Sequence, residues 1–259
     1  NTDFIMNDFF MFETELSAGS GFPLFGVCHI LWLSAIILTG ILLVRWYCKQ
    51  SEKMCHRIRA AIGILLPVMA IYRDGILMVT GHWGIGFLPL HLCSMAMWIA
   101  PLYIFTNKRF LGVIYVLLCL PGAVGALLFP DWNMYPVWNY MHIHAFLSHG
   151  LLVIFGCMLI ISGEMIPTWR EFYIPIVFGA IGFTIIHRVN LMFRTNYWFL
   201  NEPSADSPLI WIQHITGSKW YRLGYFMFCV GIVAVWMCLI RVMDKWRKSC
   251  NFLARHTHV

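Results

Sequence analysis

Five residues that can do chemistry stand inside apolar segments of this chain. His142, His144 and His149 lie at the start of one long apolar run, and His91 and Cys93 lie in another. Ionisable side chains within a membrane span are rare, and they usually face a bundle interior or a water-filled cavity. The residue types therefore predict a polar site inside a membrane protein.

The three histidines of the first run cannot all act at one point. His142 and His149 are seven residues apart and share one face of a helix, whereas His144 and Ser148 share another. A single helix cannot direct all three imidazoles at one atom.

A cysteine beside a histidine favours acyl transfer. A nearby imidazole converts the thiol into a nucleophilic thiolate. Cys93 falls among several candidate bases, which makes it the first candidate nucleophile. Cys28 stands at a similar depth next to His29 and is its rival. A small, inert core residue is the alternative interpretation of Cys93.

The composition predicts the elements that must position these residues. The chain has 259 residues, a mean hydropathy of +0.72 and 12% charged residues, about half the charged fraction of a soluble domain. A span needs about 20 apolar residues. We expect an all-α, polytopic membrane bundle forming one integral membrane domain over 1–259, with no removable signal peptide. Its seven spans are predicted near 23–47, 59–80, 84–105, 110–129, 138–161, 172–194 and 222–242.

The loops predict how the bundle is oriented. Lysine and arginine collect at one side of the predicted spans, for example at Arg45, Lys49, Arg109 and Arg241. Since cytoplasmic loops carry the excess of these residues, we expect an outside N-terminus and a cytoplasmic C-terminus in the cell membrane. The net charge of +6 then reflects topology, and we expect no nucleic-acid partner. The sequence leaves the oligomeric state open.

Polar residues of five predicted spans fall at one depth. At about 1.5 Å per residue they occupy a slab roughly 5–18 Å below the outer surface. We expect a shared pocket that opens to the extracellular side, and the alternative is that each group snorkels separately. The candidate substrate-binding residues are Arg73, Asp74, His91, His144, His187, Arg188, Asn190 and Arg194.

Some of these residues have competing roles. Arg73 and Asp74 can form a structural ion pair, or the carboxylate can hold the N–H of a pocket imidazole. Arg188 or Arg194 can bind a lipid phosphate, because a guanidinium matches phosphate oxygens, although snorkelling explains Arg194 equally well.

Two other functions compete with acyl transfer. A zinc-dependent lipid hydrolase would use the histidines as metal ligands, but the chain contains no His-x-x-x-His pair. A non-enzymatic pocket would bind a lipid headgroup or a small solute, or relay protons in a transporter. We expect no cofactor for acyl transfer and zinc only under the hydrolase interpretation.

Three stretches resemble the YwaF-like bacterial integral membrane proteins. They are HLC at 91–93, the histidines of span five, and NLMFRTNYWFLNEP at 190–203. The most specific part runs from Asn196 to Leu200. The segment Gly217 to Tyr221 departs from the family's usual Gly-Pro-Trp-Pro-Trp-Tyr pattern.

That family is similar in turn to the eukaryotic transmembrane protein 164 acyltransferases, which remodel acyl chains on ether phospholipids. The resemblance implies that Cys93 is the nucleophile and His149 the base, with His142 on the same face. The implied partner is a membrane phospholipid or lysolipid. Arg188 or Arg194 would then hold its phosphate, and Asn190 or Ser148 would donate to the oxyanion.

Overall fold

The fold consists of helices joined by short loops. In this computed structural model the backbone is described for residues 9–17 and 19–256, and side chains are described up to residue 248. The described part contains seven main helices. They are α1 (Val27–Tyr47), α2 (Glu52–Val79), α3 (Leu92–Thr106), α4 (Arg109–Leu128), α5 (Tyr140–Ser162), α6 (Tyr173–Phe193) and α7 (Leu209–His256).

The helix set confirms the prediction of a polytopic helical bundle. Six helices are long and apolar enough to cross a membrane, whereas α3, with 15 residues, is shorter. Each predicted span overlaps one of the seven helices. The protein is therefore a multi-pass membrane protein, while its single domain over 1–259 and its orientation stay predictions.

Local residue types explain where the helices begin and end. The Ser51 and Asn139 side chains accept backbone N–H groups in the first turns of α2 and α5, as N-cap residues do. Asn107, Gly163 and Arg194 follow the ends of α3, α5 and α6 in the left-handed conformation. Arg194 therefore stands just beyond its helix rather than within the span.

The start of the third span was predicted too early. Residues 84–105 were assigned to it, but α3 begins at Leu92. The preceding stretch is a loop with a 3₁₀ turn at Ile85–Phe87. Gly84, Gly86 and Pro89 disfavour a helix there, although their apolar neighbours extend the hydropathy signal.

The seventh span is longer than predicted. Its helix begins at Leu209 instead of near residue 222, and it is broken at Gly217, where φ is +70°. Residues that carry a side chain rarely adopt this backbone conformation, so glycine is suited to the break. The segment 195–208 is therefore the only loop that the structure describes between α6 and α7.

Helix α4 contains a wide π-helical turn at Tyr115–Cys119, in the core of the bundle. Pro121, which lacks a backbone N–H, follows this turn. The Tyr115 hydroxyl donates to the Leu152 carbonyl of α5 at 2.8 Å. This bond holds α4 against the helix that carries the histidines.

We distinguish the two ends of the bundle by their loops. The basic end comprises residues 48–51, 107–108 and 163–172, and the cavity end comprises residues 9–17, 19–26, 80–91, 129–139 and 194–208. At the basic end Arg59 is paired with Glu164, which also accepts a hydrogen bond from the Tyr47 hydroxyl. Arg109 is paired with Glu171 at 2.6 Å.

Candidate active site

A cavity of about 670 Å³ opens among the helices toward the cavity end. Every main helix except α1 contributes to its lining within the described part of the chain. Its polar lining includes Glu13, Arg73, His91, Cys93, Ser94, Asp131, His144, Ser148 and His149. His91, Cys93, His144 and His149 therefore line one cavity, together with Arg73 and Ser148.

Cys93 is the second residue of α3 and faces this cavity. His91 is the N-cap residue of α3 and has an extended backbone. Its carbonyl accepts the Met95 N–H at 2.8 Å, which is the first hydrogen bond of the helix. The N–H groups of Leu92, Cys93 and Ser94 precede this first bond, so they have no acceptor within the helix. Cys93 therefore stands in the first turn of α3, where backbone N–H groups are free and the helix dipole is positive.

His149 presents a free ring nitrogen on the same cavity. Its Nδ1 lies 2.7 Å from the Ala145 carbonyl oxygen, which can only accept, so Nδ1 carries the hydrogen. In the neutral ring Nε2 is then the unprotonated nitrogen. The Trp132 ring stacks on the imidazole with centroids 4.8 Å apart. These contacts fix the ring in a state in which Nε2 can accept a proton.

The other two cavity histidines differ in how they are held. His144 donates from Nε2 to the Met69 carbonyl at 3.2 Å and so joins α5 to α2. The His91 ring packs edge-on against Tyr197, with centroids 5.0 Å apart, and its nitrogens have no hydrogen-bond partner among the described residues. His91 is therefore a second candidate base, two residues before Cys93.

Arg73 is the only lysine or arginine in the cavity lining that the structure describes. Its Nε and one Nη donate to Asp74 Oδ1 at 2.8 and 2.7 Å, and the same Nη donates to the Phe87 carbonyl at 3.1 Å. Asp74 does not line the cavity and pairs with Arg73 rather than with an imidazole. The other Nη has no acceptor in the described region and is available to a ligand.

His142 lies outside the cavity, although it shares a helix face with His149. It is fully buried, its Nε2 lies 3.9 Å from Cys28 Sγ, and the Phe22 ring packs edge-on against it with centroids 4.8 Å apart. The rival cysteine thus has a histidine partner, but on the side of α5 that faces α1.

The predicted binding residues of α6 do not line the cavity either. Asn190 is buried and holds the following loop, because its side chain donates to the Tyr197 carbonyl and accepts the Tyr197 N–H, both at 2.9 Å. His187 is partly buried, and Arg188 and Arg194 are exposed. The two arginines therefore stand apart from the cysteine.

Several cavity residues were missed by sequence reasoning. Glu13 begins a short 3₁₀ turn, and Asp131 and Trp132 lie in a loop, so all three stand outside the predicted spans. Ser94 stands beside Cys93 and carried no signal of its own. The Asp-Trp pair beside Pro130, directly before the histidine helix, was the one local hint.

Within the part of the chain that the structure describes, no group of three or more His, Cys, Asp or Glu residues has a geometry that could hold a metal ion. The hydrolase interpretation therefore receives no support from the ligand geometry.

Comparison with known proteins finds one relationship. The model of the TMEM164 family matches residues 24–245, which include all seven predicted spans apart from the first residue of the first. No curated protein and no solved structure matches the chain.

Proposed function

Since the chain belongs to the TMEM164 family, we propose that it is a lipid acyltransferase that works through a thioester at Cys93. The observation that carries this proposal is the meeting of Cys93, at the start of α3, and the free nitrogen of His149 on one cavity. Its substrates are a membrane phospholipid as acyl donor and a lysolipid as acceptor, and it needs no cofactor.

The first half-reaction forms the thioester. His149 Nε2 takes the thiol proton as Cys93 Sγ attacks the ester carbonyl carbon, because a thiolate without a paired cation would be costly inside the bundle. The oxyanion develops near the free N–H groups at the start of α3. Collapse breaks the carbon–oxygen bond, and the departing lysolipid oxygen takes the proton from His149.

The second half-reaction returns the enzyme to its starting state. The hydroxyl of an acceptor lysolipid gives its proton to His149 and attacks the thioester carbonyl. The carbon–sulfur bond breaks, and Cys93 recovers the proton. Water in place of the lysolipid would give hydrolysis.

Arg73 is the proposed phosphate-binding residue. Its guanidinium lines the cavity and keeps donors that Asp74 and Phe87 do not use. Arg188 and Arg194, the phosphate-binding residues predicted from the sequence, do not line the cavity. Likewise, backbone N–H groups replace Asn190 as oxyanion donors, because that amide is occupied by Tyr197, whereas Ser148 remains on the cavity.

The test of this proposal is whether a covalent acyl adduct forms on Cys93. The purified protein is mixed with a phospholipid, and its intact mass is measured for the wild type, Cys93→Ala and Cys28→Ala. We expect an acyl-sized adduct on the wild type and on Cys28→Ala, removed by hydroxylamine, and none on Cys93→Ala. Acyl transfer that persists in Cys93→Ala would overturn the nucleophile. Phospholipid binding without any transfer would favour the non-enzymatic function.

We further propose that the cavity end faces the outside of the cell membrane, on the basis of the basic residues at the other end. Glu202 is exposed at the cavity end, and Cys48 is exposed at the basic end. In intact cells, a membrane-impermeant maleimide should label Glu202→Cys without permeabilisation, whereas Cys48 should react only after it. The reverse pattern would invert the topology.

A further inference from the structure

The cavity continues from the polar residues into an apolar arm between α6 and α7. On α6 its wall is formed by Pro175, Gly179 and Phe183, which are four residues apart and share one helix face. The wall on α7 extends from Tyr225 past Cys229 and Val233 to Trp236. We call this part of the cavity the apolar arm, and no charged side chain of α6 or α7 is in its described lining.

The arm has a defined direction. The two helices touch where the Phe183 ring packs on Tyr225 and Phe226, with centroids 5.3 and 5.2 Å apart. Pro175 stands eight residues from Phe183 toward the basic end, which is about 12 Å of helix. The helices run antiparallel, so Val233 and Trp236 lie on α7 in that same direction. The arm therefore runs lengthwise through the bundle.

The arm starts beside the candidate nucleophile. Leu92, the neighbour of Cys93, packs in one apolar cluster with Phe183 and Tyr225. Ser94 and Met97 of α3 line the same cavity as Gly179. A chain attached at Cys93 thus has an apolar path that leads away from the histidines.

We propose that the apolar arm binds the acyl chain of the donor lipid and that Gly179 sets how long a chain is accepted. The inference rests on the proposed function, since it assigns the part of the substrate that follows the thioester carbonyl. An uncharged space lined by apolar side chains matches a hydrocarbon chain, whose burial is favourable in proportion to apolar area. Headgroups are excluded from the arm because it offers their charges no partner.

Gly179 is suited to this role because it leaves space. A Cβ built at this buried residue would meet only Phe226 Cε2, at 3.8 Å, among the described atoms. A larger side chain would therefore project into the arm without displacing backbone. By contrast, a Cβ at Gly182, on the same helix, would approach the Trp198 ring to 2.4 Å.

The experiment compares Gly179→Leu with Gly231→Leu. Gly231 is exposed on α7, lies outside the cavity, and has nothing within 4 Å of a built Cβ. Phospholipids with short, medium and long acyl chains are offered in competition, and the transferred chains are identified by mass spectrometry. We expect Gly179→Leu to lower the ratio of long to short chains about tenfold and Gly231→Leu to leave it unchanged. An unchanged ratio in an active Gly179→Leu protein would overturn the inference.

A second measurement separates this inference from the acyltransferase proposal. A phospholipid with a photoreactive group at the end of its acyl chain is crosslinked to Cys93→Ala, and the labelled peptides are mapped. Labels on 175–183 and 229–236 support the arm even if no thioester ever forms. Labels confined to other peptides overturn the arm, even where the wild type carries an acyl adduct.

Discussion

The two ends of the bundle differ in whether their polar side chains have partners within the protein. At the basic end Arg59, Glu164 and the Tyr47 hydroxyl form one connected group, and Arg109 pairs with Glu171. A charge near the membrane is costly unless it is paired or hydrogen-bonded. These residues meet that requirement within the protein itself.

At the cavity end several polar groups lack a protein partner. Cys93 and His91 have none among the described residues, Nε2 of His149 is free, and one Nη of Arg73 has no acceptor. These groups line the cavity, so a ligand bound there could supply the partners that the protein does not. The two ends thus differ in where the partners of their polar groups would come from.

The largest effect on activity is expected from the nucleophile. Cys93→Ala should reduce acyl transfer by about 10³-fold or more, since a covalent route loses its attacking atom. The assay follows a labelled acyl chain from phospholipid to lysolipid. The thermal midpoint should hardly change, because Cys93 holds no other residue by a hydrogen bond.

The control for this variant is the other cysteine–histidine pair. Cys28→Ala and His142→Gln leave the cavity intact, so each should retain transfer within about twofold. A large loss in both, with Cys93→Ala active, would move the reaction to the side of α5 that faces α1.

The second effect distinguishes the candidate bases. His149→Gln should lower transfer by about 10²-fold or more, which is the usual contribution of a general base. His91→Gln should lower it by less than about tenfold, because His91 would only contact the substrate. Single-turnover formation of the acyl adduct measures this directly, and the opposite order of the two variants would make His91 the base.

The third effect concerns the phosphate. Arg73→Lys keeps the charge but loses the planar fork that contacts Asp74 and that we propose also binds phosphate. We expect KM for the phospholipid to rise about tenfold with little change in kcat, since the lost contact is made in the ground state as well. Arg188→Lys and Arg194→Lys should have no measurable effect. A KM that responds to Arg194 alone would restore the original assignment.

The sequence predicted the helices well because each is an apolar run of sufficient length. It failed at 84–91, where Phe87 and Leu88 are as apolar as span residues. In the fold they pack on loops instead, with Phe87 against Phe12 and Leu88 beside Trp198. Hydropathy reports burial, and it cannot tell a loop buried beneath other loops from a helix buried in lipid.

The site was predicted only in part for a related reason. Helical phase gives His142 and His149 the same face, yet seven residues separate them by about 10 Å along the axis. Phe22, from the segment before α1, covers the first, and Trp132 stacks on the second. Helical periodicity predicts which residues share a face. It does not predict which loop residues pack against that face.

The smallest effect on activity is expected at the basic end, where it completes the comparison. Glu164→Gln removes the charge that Arg59 and Tyr47 contact. Because both partners of the ion pair are partly exposed, the loss of stability should be only about 1 kcal/mol. Acyl transfer below the melting transition should stay within about twofold of the wild type. The thermal midpoint in detergent and the transfer rate are measured on one preparation, with Tyr47→Phe as the milder variant. If Glu164→Gln instead abolished transfer without lowering the midpoint, pairing at this end would have a role in function, and the contrast between the two ends would no longer hold.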